Sequence, residues 1–358
     1  MERLFLPTKR GGFGLQSAAR VATAAWYASW SEALVPVCRH LAAPDLPALR
    51  DVLPGLALAL DAAARDLRGC GAAPPPLFTP EADEAARSAR QRILVEACQT
   101  KAADAHVEGL DASNRAVVRS AGGPGGGAWL QHGCAGGEAL ANSEWQVAVR
   151  LRAGLSLCTP GACCMHRTPD GGACGARLDP LGAHAMACKS GGAVVRRHNL
   201  VRDLLARQVT ECLHVPTLTE QVVPAWARGT TEARLDVVYR QDSGVTTYLD
   251  CAVTSCHARD VAAVAAVRDG AAAARLEVAK HRRYPGQRLT PLVWEAHGRS
   301  GDSALAWQRS LVATLDPGQR AVCLAGLRRQ VAVAVQRGNS ALVLGALGAY
   351  AASLGIAD

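Results

Sequence analysis

Apolar residues recur at helical spacing over most of this chain and at strand spacing over one short part of it. Residues 14–42 and 44–66 read as Ala/Leu-rich helices, interrupted near Pro44 and Pro54, because proline ends or kinks a helix. The tract GCGAAPPPLFTPEAD reads as a loop, and Thr79 with Pro80 as the start of a helix running to His106. AGGPGGGA, Ala121–Ala128, reads as a flexible stretch. NSEWQVAVRLRAGL is then a short helix, and apolar positions fall on one helical face again from Val194 to Leu213.

The period then changes. A strand at Thr217–Val223 precedes ARLDVVYRQDSGVTTYLDCAVTS, Ala233–Ser255. Its two apolar runs, joined by Asp242, Ser243 and Gly244, predict a β-hairpin. A long Ala-rich helix over Asp260–Arg283, a strand LTPLVWEAHG and two helices, roughly 301–336 and 339–354, complete the chain. The order helix, strand, strand, strand, helix, strand between Val194 and Gly298 makes a compact α/β unit, a sheet covered by helices. Everything before Leu155 reads as a separate all-helical region, and no internal repeat is present.

Charge and cysteine usage narrow the class. The formal net charge of +8 comes almost wholly from arginine, since Lys9, Lys101, Lys189 and Lys280 are the only lysines. Arginine suits phosphate contacts and so nucleic acid, although a biased genome would give the same excess. The segment MERLFLPTKRGGFGL has no secretory apolar core. No apolar run reaches the roughly 18 residues of a membrane span, so an intracellular protein without membrane association is expected. Walker, GxGxxG and GxSxG patterns are missing, which disfavours nucleotide-binding and serine-hydrolase classes.

Of the 13 cysteines, Cys158, Cys163, Cys164, Cys174 and Cys188 crowd into one stretch, a spacing that suits metal binding better than a disulfide framework. His184 and Cys188 are one helical turn apart, and with Cys174 they supply three ligands of a tetrahedral zinc site. The fourth is Cys164 or Cys163, with His166 also within loop reach. Four protein ligands would make the zinc structural. Ordinary buried cysteines are the plainer alternative.

The hairpin poses a different question. Asp236 and Asp250 lie in its apolar strands, and a buried carboxylate without a partner is costly. Side by side they could share Mg²⁺, which takes oxygen ligands and keeps several waters, with Lys280 stabilising developing negative charge. Glu220 is a third candidate acid. Arg196, Arg197 and His198 open one helix, and Arg282, Arg283 and Arg288 lie beside Lys280; both groups are candidates for phosphate contact. Solvated charge is the plainer reading of each.

In chain order, LPTKRGGFGLQSAARVATAAWYASW, VRLRAGLSLC, CGARLDPLGAHAMAC, GGAVVRRHNLVRDLL, ARLDVV, LDCAVTS and KHRRY resemble the C-terminal part of an early-branching non-LTR (LINE-type) retrotransposon polyprotein. In that family a reverse transcriptase is followed by a zinc knuckle and a restriction-like endonuclease of the PD-(D/E)xK class. The resemblance implies a helical post-polymerase region over 1–155 and a zinc knuckle over 156–192. A mixed sheet flanked by helices would follow over 193–300, and C-terminal helices over 301–358. Asp236 and Asp250 match the nuclease acids. Lys280 matches the family's lysine, displaced onto the following helix, with Tyr284 after it as a further candidate for nucleic-acid contact. Cys174, His184 and Cys188 match the last three zinc ligands.

There are departures. Leu235 stands where the family has proline, Ala252 where a lysine would follow the second acid, and Gly171 at the place of the first zinc ligand. An aromatic-x-Asp-Asp polymerase motif is missing, so the chain is expected to be a fragment or a decayed copy that acts with a reverse transcriptase module. The function implied is metal-dependent nicking of target DNA in the nucleus, to prime reverse transcription, with DNA and element RNA as partners. The alternative is a zinc-stabilised nucleic-acid-binding module without catalysis.

Overall fold

A computed structural model describes residues 2–75, 77, 84–131, 139–229, 231–241 and 243–356, with only the backbone of 84–89. The expected helix start at Thr79 and the turn residue Asp242 lie outside the described residues. The chain divides into two compact units, one of residues 2–7 and 14–109, the other of 8–13 and 110–358. Residues 110–155, expected with the N-terminal helices, therefore belong with the sheet. Among the described residues, no helix is long and apolar enough to cross a membrane.

The smaller unit is helical. It holds α1 (Ala18–His40), α2 (Leu46–Val52), α3 (Pro54–Gly69) and α4 (Glu84–Glu108). The breaks near Pro44 and Pro54 fall as expected: the Asp45 carboxylate caps α2 by accepting the Ala48 N–H, and Pro54 opens α3. Ala24, Ala28, Leu34, Leu49, Leu60 and Leu67 form its core.

The larger unit is a mixed α/β fold. Its elements are α5 (Ala112–Ala121), α6 (Asn142–Ala153), α7 (Ala183–Ala187), α8 (Ala193–Leu213), β1 (Thr217–Val222), β2 (Arg234–Arg240), β3 (Thr246–Thr254), α9 (Ala262–Ala265), α10 (Ala271–Arg283), β4 (Leu289–Glu295), α11 (Asp302–Ala313), α12 (Pro317–Leu347) and α13 (Tyr350–Ser353). The sheet has the order β1-β2-β3-β4. β1, β2 and β3 pair antiparallel, and β4 runs parallel to β3. A parallel pair needs a crossover connection, and α10 supplies it. Val201, Leu205 and Val209 of α8 pack with Val237, Leu249, Leu292 and Trp294 of the strands and Leu311 and Val335 of α11 and α12.

Three expectations are corrected, each through glycine or proline. The single helix over 260–283 is two, because Gly270 adopts φ +69° and starts α10 afresh. The C-terminal break comes at Pro317 rather than near Gly338. Gly338 lies inside α12, where a Cβ would meet Arg197 of α8 at 2.7 Å from its Cβ and 3.1 Å from its Cα. Close approach of two helices, not chain reversal, is what it provides.

Ala121–Ala128 is not a loose linker either. The buried Arg152 donates from Nη1 to the Ala121 and Gly126 carbonyls at 3.0 Å, from Nε to Gly12 and from Nη2 to Thr8, both at 2.9 Å. A Cβ on Gly126 would stand 2.6 Å from the Ala121 carbonyl oxygen. These glycines let four backbone carbonyls converge on one guanidinium.

Candidate functional site

The two hairpin aspartates do come together. The β2–β3 ladder runs from Arg240↔Thr246 to Val237↔Leu249. The next residue on each strand is Asp236 and Asp250. Asp236 is buried, and its Oδ2 accepts the Cys251 N–H at 2.6 Å, while its Oδ1 accepts from His198 Nε2 at 3.0 Å. Asp250 is ion-paired with Lys280, whose Nζ also lies 3.4 Å from the Cys251 carbonyl.

Helix and sheet ends set this geometry. His198 lies in the second turn of α8, whose apolar face packs on the sheet. Lys280 lies in the last turn of α10. The buried Glu295, the final residue of β4, accepts the N–H groups of Ala272 and Ala273 at 3.0 and 3.2 Å. A carboxylate on the free N–H groups of a helix start is stabilising, so Glu295 anchors the helix that brings Lys280 to Asp250.

The electrostatics separate the two acids. Burial pushes Asp236 up, but the His198 hydrogen bond and charge, Lys280 and the Cys251 thiol outweigh it and hold the carboxyl below its usual range. For Asp250 burial wins: despite Lys280, and with Asp236 adding to the rise, its carboxyl is pushed above the usual value. The Asp236 hydrogen bond raises His198 in turn, against burial. Cys251, fully buried between them, is pushed well up by burial and stays a thiol. Two neighbouring carboxyls pushed apart in this way are common at functional sites.

Glu220 stands in β1 between the pairs Thr219↔Val237 and Gln221↔Leu235, hence opposite Asp236. Its backbone is left-handed, φ +54°, and its carboxylate pairs with Arg202 and, at 3.7 Å, with Arg234. Arg202 lies one turn beyond His198 on α8, so one helix face serves both acids.

The expected phosphate contacts divide. Arg282, Arg283 and Arg288 are exposed. Arg196 is bound to the Gly191 carbonyl at 2.9 Å. Arg197, expected at the surface, is instead buried and donates to Asn339 Oδ1 at 2.7 Å; its pairing inside the fold removes it from phosphate contact. His198 serves Asp236. Tyr284 is buried against Trp226 and beneath the Arg283 guanidinium.

The cysteine-rich segment folds as a small hairpin followed by α7. The Cys164 N–H donates to Ala176, that of Cys174 to His166 and that of Gly175 to Cys164. Asp179 then caps α7, taking the N–H groups of Leu181, Ala183 and His184. The hairpin presents Cys164 and Cys174, and α7 presents His184 and, at its end, Cys188. Their ligand atoms all lie within 4.8 Å of one another. Cys164 Sγ is 3.9 Å from Cys188 Sγ, and Cys174 Sγ is 3.6 Å from His184 Nε2. Burial pushes the Cys164 thiol up to about 12, whereas the Ala176 N–H holds Cys174 below its ordinary value. Cys163 turns away, toward the Gly161 carbonyl at 3.7 Å. His166 is buried, and its ring is not among these donors. These four residues could hold a metal ion, and of the two alternatives Cys164 is the fourth donor.

The roles of Cys251, Arg202 and Glu295, and of His198 as partner of Asp236, were not readable beforehand, because each depends on how a helix meets the sheet. The chain matches no protein-family model, and no curated protein matches it.

Proposed function

We propose that this protein is a metal-dependent DNA endonuclease of retrotransposon descent, with a PD-(D/E)xK-type sheet and a zinc knuckle. One observation carries the reading: a buried and a half-buried aspartate on adjacent strands and a lysine on the crossover helix converge on one point. Hard carboxylate oxygens suit magnesium, so Asp236 and Asp250 would hold Mg²⁺, which when bound supplies an activated water and charge neutralisation at phosphate. Lys280 positions that water and stabilises the developing charge once released from Asp250. His198 keeps Asp236 ionised and oriented. Arg282, Arg283 and Arg288 meet the DNA backbone, and Glu220 orders Arg202 beside the acids. Cys164, Cys174, His184 and Cys188 match a structural zinc site in number and type. The cell compartment this implies is the nucleus, where a separate reverse transcriptase module would use the nick as primer.

The test is nicking of supercoiled plasmid by the full chain, with Mg²⁺ or with EDTA, and by Asp236→Ala and Asp250→Ala. Nicking that needs the metal and both aspartates is expected, with DNA binding retained in the variants. Equal nicking by variants and wild type would overturn the assignment.

A second reading, a nucleic-acid-binding module without catalysis, is favoured by one feature. Both carboxylates are already paired, Asp236 with His198 and Asp250 with Lys280. Its outcome in the same experiment is steeply salt-dependent DNA binding with no nicking under any condition.

A further inference from the structure

A second group of soft donors lies apart from both sites. Cys256 follows the end of β3 by two residues, and His297 follows the end of β4 by two. These strands are parallel neighbours in register Thr254↔Glu295, and the Ala296 N–H donates to the Thr254 carbonyl at 2.7 Å. The two loops therefore leave the sheet side by side. His257, next to Cys256, is turned inward by a tight bend in which its N–H donates to Ser255 Oγ at 3.1 Å. The ligand atoms of Cys256, His257 and His297 all lie within 4.8 Å of one another. The two imidazoles meet edge to face, centroids 6.3 Å apart and planes at 85°.

The surroundings make this convergence unusual. Cys256 is wholly buried among Ala116, Val117, Val261, Ala265 and Ala271. His297 is 4 % exposed, and His257 Nε2 is buried with no hydrogen-bond partner among the described residues. A buried polar atom without a partner is costly, and the apolar side chains packed around Cys256 offer none. A metal ion about 2.0–2.3 Å from each donor would supply one.

We propose that Cys256, His257 and His297 form a second metal site, for a borderline-soft transition ion such as Zn²⁺, that ties together the ends of β3 and β4. One thiolate and two imidazoles exclude Mg²⁺ and Ca²⁺, which take oxygen donors. Three protein ligands leave one coordination position, which water fills from the half-buried His257 side. The ion clamps the strand that carries Asp250 to the strand whose Glu295 anchors the Lys280 helix. The site shares no ligand with the knuckle and does not depend on the nuclease reading.

The experiment is zinc content per chain by elemental analysis, after zinc loading and gel filtration of the full-length protein, for wild type and His257→Gln. Glutamine replaces a half-buried ring with a side chain of similar reach, and far-UV circular dichroism and thermal melting check that the variant folds. The expected result is the loss of one zinc equivalent from His257→Gln. Cobalt(II) substitution gives an independent reading: part of the thiolate-to-cobalt charge-transfer absorption should vanish in Cys256→Ser. Both are read against His184→Ala, which tests the knuckle alone. Equal zinc content in His257→Gln and wild type would overturn the proposal, whatever the knuckle holds.

Discussion

Replacing Gly338 by alanine sets a packing penalty against a gain in helix propensity, and the structure decides which wins. The new Cβ would lie 2.7 Å from Arg197 Cβ and 3.1 Å from Arg197 Cα. The second of these is backbone, so rotating a side chain cannot relieve it and α8 and α12 must separate. Overpacking of this kind costs about 1–3 kcal/mol, while Gly to Ala inside a helix returns about 1 kcal/mol. The net is a loss of up to about 2 kcal/mol, or up to roughly 8 °C in melting temperature for a unit of this size. The same helix holds its own control. At Gly326 a Cβ would meet nothing within 4 Å, so Gly326→Ala should gain up to about 1 kcal/mol. Thermal melting of both variants against wild type is the assay. Opposite signs are expected; a Gly338→Ala protein that melts above wild type would refute the close-approach argument. Displacing α8 should also weaken the His198–Asp236 contact, now 3.0 Å.

Other outcomes follow from the two sites. The Asp236 hydrogen bond raises His198 above its ordinary value, so this contact contributes stability fully below about pH 6.5, the unfolded value, and loses it as pH rises through the folded one. Urea melts across that range should show the decline in wild type and not in His198→Gln; an equal slope in both would contradict the assignment. Within the cysteine segment, Cys164→Ser should abolish one equivalent of bound zinc while Cys163→Ser leaves it intact, because only Cys164 points at Cys188. Elemental analysis of the two proteins distinguishes them, and zinc loss in Cys163→Ser instead would reverse the choice.

How much of this could be read from the chain depends on the range of the interaction. Strand alternation and turn residues put the hairpin in place, and the helical stripe from Val194 to Leu213 gave α8 nearly to the residue. The meeting of Asp236, Asp250 and Lys280 was legible because hairpin pairing is local and Lys280, one of few lysines in the chain, lies on the helix that follows the hairpin. Arg197 was not, since its partner Asn339 lies 142 residues away and no local pattern distinguishes a buried arginine from a solvated one. Gly338 and Ala121–Ala128 misled for a related reason. Glycine permits both chain reversal and close approach, and only the packed fold says which is used. The group Cys256, His257 and His297 left one faint signal, the adjacent Cys-His of TSCHARD, whose third member comes from another strand end.

The left-handed turn of the backbone at Glu220 bears on how the molecule behaves in a crowded solution. β1 is the outer strand of the sheet, and Leu218 and Val222 on it are exposed. An extended, flat, apolar border of this kind is a template for pairing with another chain and so for aggregation. A residue at φ +54° midway along it, fixed by Arg202, breaks the regular spacing of donors and acceptors and sets a charge in the gap. A passing strand finds no continuous ladder to extend. The distortion that carries Glu220 toward Arg202 thus also guards the sheet against self-association.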